Sequence, residues 1–104
     1  MPQSEILENS ALHRFELHEA GETAFLSYEK SSGSYRLIHT EVPSALRGKG
    51  LGTKLVQGVL QLIEQKKLKV IPQCPFVIDQ LKAHPQYLGA VDEKYKYLVQ
   101  SKGQ

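Results

Sequence analysis

The sequence predicts an α+β fold, in the order β-β-β-α-β-α. Three observations carry it. Apolar residues alternate with polar ones through most of the first forty positions. A helical stripe of apolar residues then runs from position 51 to 63. A short apolar run, Val70-Ile71, follows and stops at Pro72. Period two marks half-buried strands and period 3.6 marks an amphipathic helix.

Each element has its own signal. Residues 1–9 read as a flexible N-terminus, 10–99 as one domain and 100–104 as a flexible C-terminus. A first strand is expected over 11–19, with His13, Phe15 and Leu17 on one face. Ala20-Gly21-Glu22 marks a turn. A second strand over 23–30 places Ala24, Leu26 and Tyr28 together, and Ser31-Ser32-Gly33 marks the next turn. A third strand over 34–42 aligns Tyr35, Leu37, His39 and Glu41 before Pro43 ends it. Short strands joined by tight turns form an antiparallel meander.

The helix over 50–67 buries Leu51, Leu55, Val56, Val59, Leu60 and Ile63. Gly58 inside it costs about 1 kcal/mol relative to Ala, which points to close packing there. Lys69-Val70-Ile71 reads as a buried strand. It should lie parallel to the third strand through a right-handed crossover. A second helix starts at Cys74-Pro75, because proline favours the first helical position, and ends near His84. A short helix is expected after Pro85.

Composition bounds the function. The chain has 104 residues, 40% of them hydrophobic, enough for one modest core. No apolar run approaches the roughly 20 residues of a membrane span. The first residues, Met1-Pro2-Gln3-Ser4-Glu5, lack a basic segment followed by an apolar one. A single cysteine excludes an intrachain disulfide. A cytoplasmic protein is therefore expected, without membrane association. The net charge of +2, from 13 basic and 11 acidic residues, argues against a nucleic-acid binder. Histidines 13, 18, 39 and 84 lack metal-ligand spacing, so no metal site is expected.

Arg47-Gly48-Lys49-Gly50-Leu51-Gly52 is the stretch richest in chemistry. Three glycines alternate with two cations between a strand and a helix. Glycine lets the backbone turn tightly and approach an anion. The helix start offers unpaired N–H groups and the positive end of its dipole. The loop therefore suits a phosphate or pyrophosphate. A P-loop spacing is absent, and Thr53 stands where a dinucleotide motif needs a third glycine.

Arg47-x-x-Gly50-x-Gly52 resembles the Arg/Gln-x-x-Gly-x-Gly/Ala signature of the GNAT superfamily of N-acetyltransferases. The motif's place after a meander and before a helix agrees with that superfamily. Three more segments resemble its minimal subfamily of about 100 residues: His39-Thr40-Glu41-Val42-Pro43, Ile71-Pro72-Gln73-Cys74-Pro75-Phe76 and His84-Pro85-Gln86-Tyr87. The likeness covers about residues 10–91.

The resemblance implies an acyl-coenzyme A N-acyltransferase fold whose last strand splays away. It also implies acetyl-coenzyme A as co-substrate. The backbone of Arg47, Gly48, Lys49, Gly50, Leu51, Gly52 and Thr53 would cradle the pyrophosphate. The main chain at Glu41 and Val42 would pair with the pantetheine arm like an added strand. The thioester would arrive near Gln73 and Cys74. The subfamily lacks the helices that shape the acceptor pocket in larger members.

Cys74 is the candidate nucleophile, at a strand end where a helix dipole favours a thiolate. Its alternative reading is a small buried hydrophobe. Direct transfer would instead need a base, for which His39 and Glu41 are candidates if their strand is regular. A sheet histidine and a solvated carboxylate are their bland counterparts. Tyr87 is either a general acid or a packing aromatic, and His84 belongs to a helix end. The expected activity is acetyl transfer to an amine acceptor, a protein lysine or a small amine. The alternative is a non-catalytic coenzyme A-binding module. A monomer or weak dimer is expected.

Overall fold

The computed structural model describes residues 6–99. Alternation in the first half produces a meander of four strands, one more than the sequence predicts. β1 (Ile6–Asn9), β2 (Arg14–Glu19), β3 (Glu22–Lys30) and β4 (Ser34–Glu41) pair antiparallel in sequence order. β5 (Lys69–Pro72) joins β4 in parallel and completes a five-stranded mixed sheet. α1 (Leu51–Gln65) provides the crossover, and α2 (Pro75–Ala83) follows β5.

The extra strand corrects the reading of 1–9 as loose. Ile6 pairs with Leu17 and Glu8 with Phe15. Ile-Leu-Glu-Asn hides its strand character, because one inward position holds a carboxylate. Glu8 accepts hydrogen bonds from the hydroxyls of Tyr28 and Tyr35 and, at 3.3 Å, from Lys66 Nζ at the end of α1. Burial works against the charged carboxylate, but these three donors hold its pKa below the ordinary value of 4.5. Burial and the Glu8 hydrogen bond push the Tyr28 hydroxyl well above the phenol range. The expected flexibility of 1–5 and 100–104 concerns residues outside those described.

The first predicted strand also shortens at its start. Residues 10–13 form a turn with His13 at φ 55°, so His13 does not share the strand face of Phe15 and Leu17. The segment after Pro85 is a 3-10 turn, Pro85–Ala90, and a second one covers Glu93–Leu98. Between them Val91 bridges to Val70, and the Asp92 N–H donates to the Val70 carbonyl.

α1 and α2 bury one face of the sheet. Phe15, Leu17, Leu26, Tyr35 and Leu37 meet Leu55, Val59, Ile63, Val77 and Leu81 there. Gly58 faces β1: a Cβ at this position would lie 2.4 Å from Ile6 Cγ1. The opposite face has no α-helix among the described residues. It carries a polar network in which buried Glu16 accepts from Arg14 Nε at 2.7 Å and Asn9 Nδ2 at 3.0 Å, and lies 2.9 Å from His18 Nε2.

β4 breaks the alternation. Leu26 faces Thr40 and Ser27 faces His39, but Tyr28 faces Leu37, so Ile38 is an extra residue. This β-bulge reverses the side-chain order beyond it. Tyr35 and Leu37 point into the core, whereas His39 and Glu41 turn to the opposite face. Thr40 takes the core side. The expectation that all four share one face is corrected accordingly.

Two stability predictions follow from this packing. Gly58→Ala gains about 1 kcal/mol of helix propensity but must displace Ile6, a clash that costs about 1–3 kcal/mol. Urea denaturation should therefore show net destabilisation, relieved when Ile6→Ala is added. Equal or greater stability in the single variant would contradict the close packing of β1 on α1. The second concerns pH. Glu8 has a lowered pKa, so its contribution is complete above 4.5 and disappears as pH falls through the lower folded value. Glu8→Gln should reduce stability near neutrality and flatten the acid limb, leaving the slope from Glu16, whose pKa Arg14 also lowers. An unchanged acid limb would contradict this role.

Candidate functional site

The parallel ladder between β4 and β5 runs from Ser34↔Lys69 to Leu37↔Pro72 and stops there. The Leu37 carbonyl accepts both the Gln73 and the Cys74 N–H, each at 3.0 Å. That double bond pattern ends β5 and turns the chain into α2. β4 continues against β3 as far as Phe25↔Glu41. From Ile38 to Glu41 its other edge has no strand partner among the described residues. The two strands therefore part, leaving an open backbone edge.

The glycine loop lies at the end of that edge. Pro43 closes β4, a 3-10 turn covers Ser44–Leu46, and the chain then reverses at Gly48, φ 81°, and Gly50, φ 74°. These left-handed values are where glycine is needed. Gly50 caps α1, and Lys54 makes the first helical bond, to the Gly50 carbonyl at 3.1 Å. The N–H groups of Leu51, Gly52 and Thr53 consequently precede the helical ladder and have no intrahelical acceptor. The first turn of α1 contains no acidic residue. Arg47 and Lys49 are exposed beside it.

Two adjoining recesses of about 270 Å³ each form one cleft here. Thr40 and Glu41 line the first, Gly48 and the stretch from Gly50 to Thr53 line the second, and Val42, Arg47 and Phe76 belong to both. Gly52 makes this junction possible. A Cβ there would meet the Phe76 ring at 3.2 Å and Val42 Cγ2 at 3.5 Å. Arg47 Nε donates to the Val42 carbonyl at 3.0 Å across the same junction.

Cys74 lies behind the first recess rather than in its wall. It is 4% exposed and precedes Pro75 at the start of α2. Thr40 Oγ1 is 3.4 Å from its sulfur, the side-chain hydrogen bond made by Cys74 among the described residues. His39 and Glu41 stand on the other side of the sheet. His39 Nε2 is 2.8 Å from Glu41 Oε1, with side chains 59% and 46% exposed. A carboxylate accepts only, so Nε2 is the donor, and in the neutral imidazole Nδ1 is then the acceptor. The sheet thus keeps the thiol apart from the histidine–glutamate pair, although Glu41 reaches the cleft and Thr40 links it to Cys74.

Tyr87 is buried, and its hydroxyl accepts from Gln61 Nε2 at 3.0 Å. His84 caps α2 through its N–H to the Gln80 carbonyl. Sequence reasoning assigned no role to Thr40 or Phe76. Thr40 gains its place only through the Ile38 bulge, which has no local sequence marker. The Phe76 position was legible in principle, because a glycine at 52 implies a bulky neighbour. Among the described residues, no group of three or more His, Cys, Asp or Glu side chains is arranged to hold a metal. No described helix is long and apolar enough to cross a membrane.

These features agree with known proteins. The chain is similar to the solution structure of a GCN5-like protein from Staphylococcus aureus, named there as a proposed N-acetyltransferase. The two are 25% identical with a TM-score of 0.65, over 88% of this chain and 91% of that one. Residues 14–91, from β2 through the glycine loop and both helices, match the GCN5-related N-acetyltransferase family, and the chain belongs to that family.

Proposed function

We propose that this protein is an acetyl-coenzyme A-dependent N-acetyltransferase that transfers the acetyl group directly to an amine. The observation that carries the reading is the open edge of β4 beyond Leu37, with the glycine loop at its far end. An extended ligand carrying amides and a terminal anion fits that arrangement. The edge supplies backbone groups of the kind an added strand uses. The loop supplies unbonded N–H groups, two exposed cations and the positive end of α1.

The chain's own groups then divide the work. Arg47, Lys49 and the backbone from Gly48 to Thr53 hold the pyrophosphate. Val42 and Phe76 wall the passage for the arm. Thr40 and Cys74 close its inner end. Acetyl-coenzyme A supplies the activated acyl carbon when bound. On that carbon a C–N bond forms as the C–S bond breaks; the amine's proton passes to His39, and coenzyme A leaves as the thiolate, which takes up a proton from solvent.

Direct transfer is preferred to an acetyl-cysteine because of what surrounds the thiol. Of the devices that activate a cysteine, a base within hydrogen-bond reach and a helix start, Cys74 has the second alone among the described residues, and it is buried. Its side-chain neighbour is a hydroxyl, and the His39–Glu41 pair faces the other side of the sheet. That pair is built to take a proton: Glu41 fixes the imidazole through Nε2, and Nδ1 accepts. The acceptor amine, whether a protein lysine or a small molecule, therefore approaches from the helix-free face and meets the thioester at the gap where β4 and β5 part, beside Glu41 and Thr40.

The test separates the two routes. His39→Ala should lower the transfer rate about 100-fold, whereas Cys74→Ala should lower it less than about tenfold. Intact-mass measurement after mixing with acetyl-coenzyme A should show no acetyl group on Cys74. An acetylated Cys74, with activity abolished in Cys74→Ala, would establish the covalent route instead. Tight coenzyme A binding with no turnover on a broad amine panel would favour a binding module over an enzyme.

A further inference from the structure

Arg47 makes one contact that the coenzyme reading does not use. Its Nε donates to the Val42 carbonyl at 3.0 Å. Val42 is the first residue after β4, where the open edge meets the glycine loop. Its carbonyl thus lies where an incoming amide would meet the end of the edge, and in the free protein the Arg47 guanidinium stands in that approach. Arg47 is exposed and sits at the junction of both recesses, so the guanidinium can turn from the carbonyl toward the loop without disturbing the core.

We propose that Arg47 is a specificity latch that selects a pyrophosphate-bearing thioester over one lacking the pyrophosphate. The inference rests on the coenzyme reading. A neutral backbone carbonyl holds a guanidinium less strongly than a pyrophosphate does, because the pyrophosphate adds charge–charge attraction and can accept two parallel N–H bonds. A ligand with pyrophosphate draws Arg47 off Val42 and frees that carbonyl for its own amide. A ligand made of the acyl-pantetheine portion alone must break the Arg47–Val42 bond without that compensation.

The two halves of the ligand should then respond to Arg47→Ala in opposite directions. Calorimetric titration of the wild type and the variant with coenzyme A and with acetyl-pantetheine reads this directly. Coenzyme A affinity should fall about 10- to 100-fold, the worth of a hydrogen bond between charged groups. Acetyl-pantetheine affinity should rise about two- to tenfold, the worth of the released carbonyl. A residue that merely shapes the loop would weaken both ligands together. Acetyl-pantetheine affinity that falls, stays equal, or goes undetected in both proteins overturns the latch. Failure of the wild type to bind coenzyme A overturns the coenzyme reading itself, a distinct result.

Discussion

The Leu37 carbonyl is the point on which the site depends. By accepting the N–H groups of both Gln73 and Cys74, it ends β5 at Pro72 and turns the chain into α2. Proline at the last paired position has no N–H to extend the ladder. One residue further along β4, the Ile38 bulge changes the strand's twist and side-chain order. The two devices act at adjacent residues, Leu37 and Ile38. Together they separate β4 from β5 and leave backbone groups facing a cleft instead of another strand.

The bulge also divides the chemistry. Without it, His39 and Glu41 would point at α1 with Leu37, inside the apolar layer. With it, they stand on the open face as a hydrogen-bonded pair, and Thr40 turns inward to meet Cys74. β4 thus carries the Thr40–Cys74 contact on one side and the His39–Glu41 pair on the other, and the two sides meet where β4 and β5 part. The opposite edge is pinned separately. Glu8 binds two phenols and Lys66, tying the first strand to β3, β4 and the end of α1. Ile6 in the notch at Gly58 completes that contact.

The fold was legible where periodicity was strong. The helical stripe from Leu51 to Ile63, the strands around Ala24–Leu26–Tyr28, and the proline stops at 43, 72 and 85 all lie near the predicted positions. The first strand was not legible, because Glu8 occupies an inward position and its partners are distant in sequence. The glycine loop announced itself by its spacing. The separation of Cys74 from His39 and Glu41 did not, since it follows from one extra residue in β4 whose effect appears only on pairing with β3. Local patterns reveal elements that satisfy themselves; register and bulges are settled between strands.

The central claim is that the parting of β4 and β5 forms a coenzyme cleft read from the glycine loop inward. The most direct measurement is titration of nitrogen-15-labelled protein with coenzyme A, followed by amide resonances. The account predicts shifts concentrated at Gly48, Gly50, Gly52 and Thr53 and continuing through Val42 to Thr40 and Cys74, with Glu16 and His18 on the helix-free face unmoved. Shifts centred on that face, or a loop indifferent to saturating coenzyme A, would contradict it.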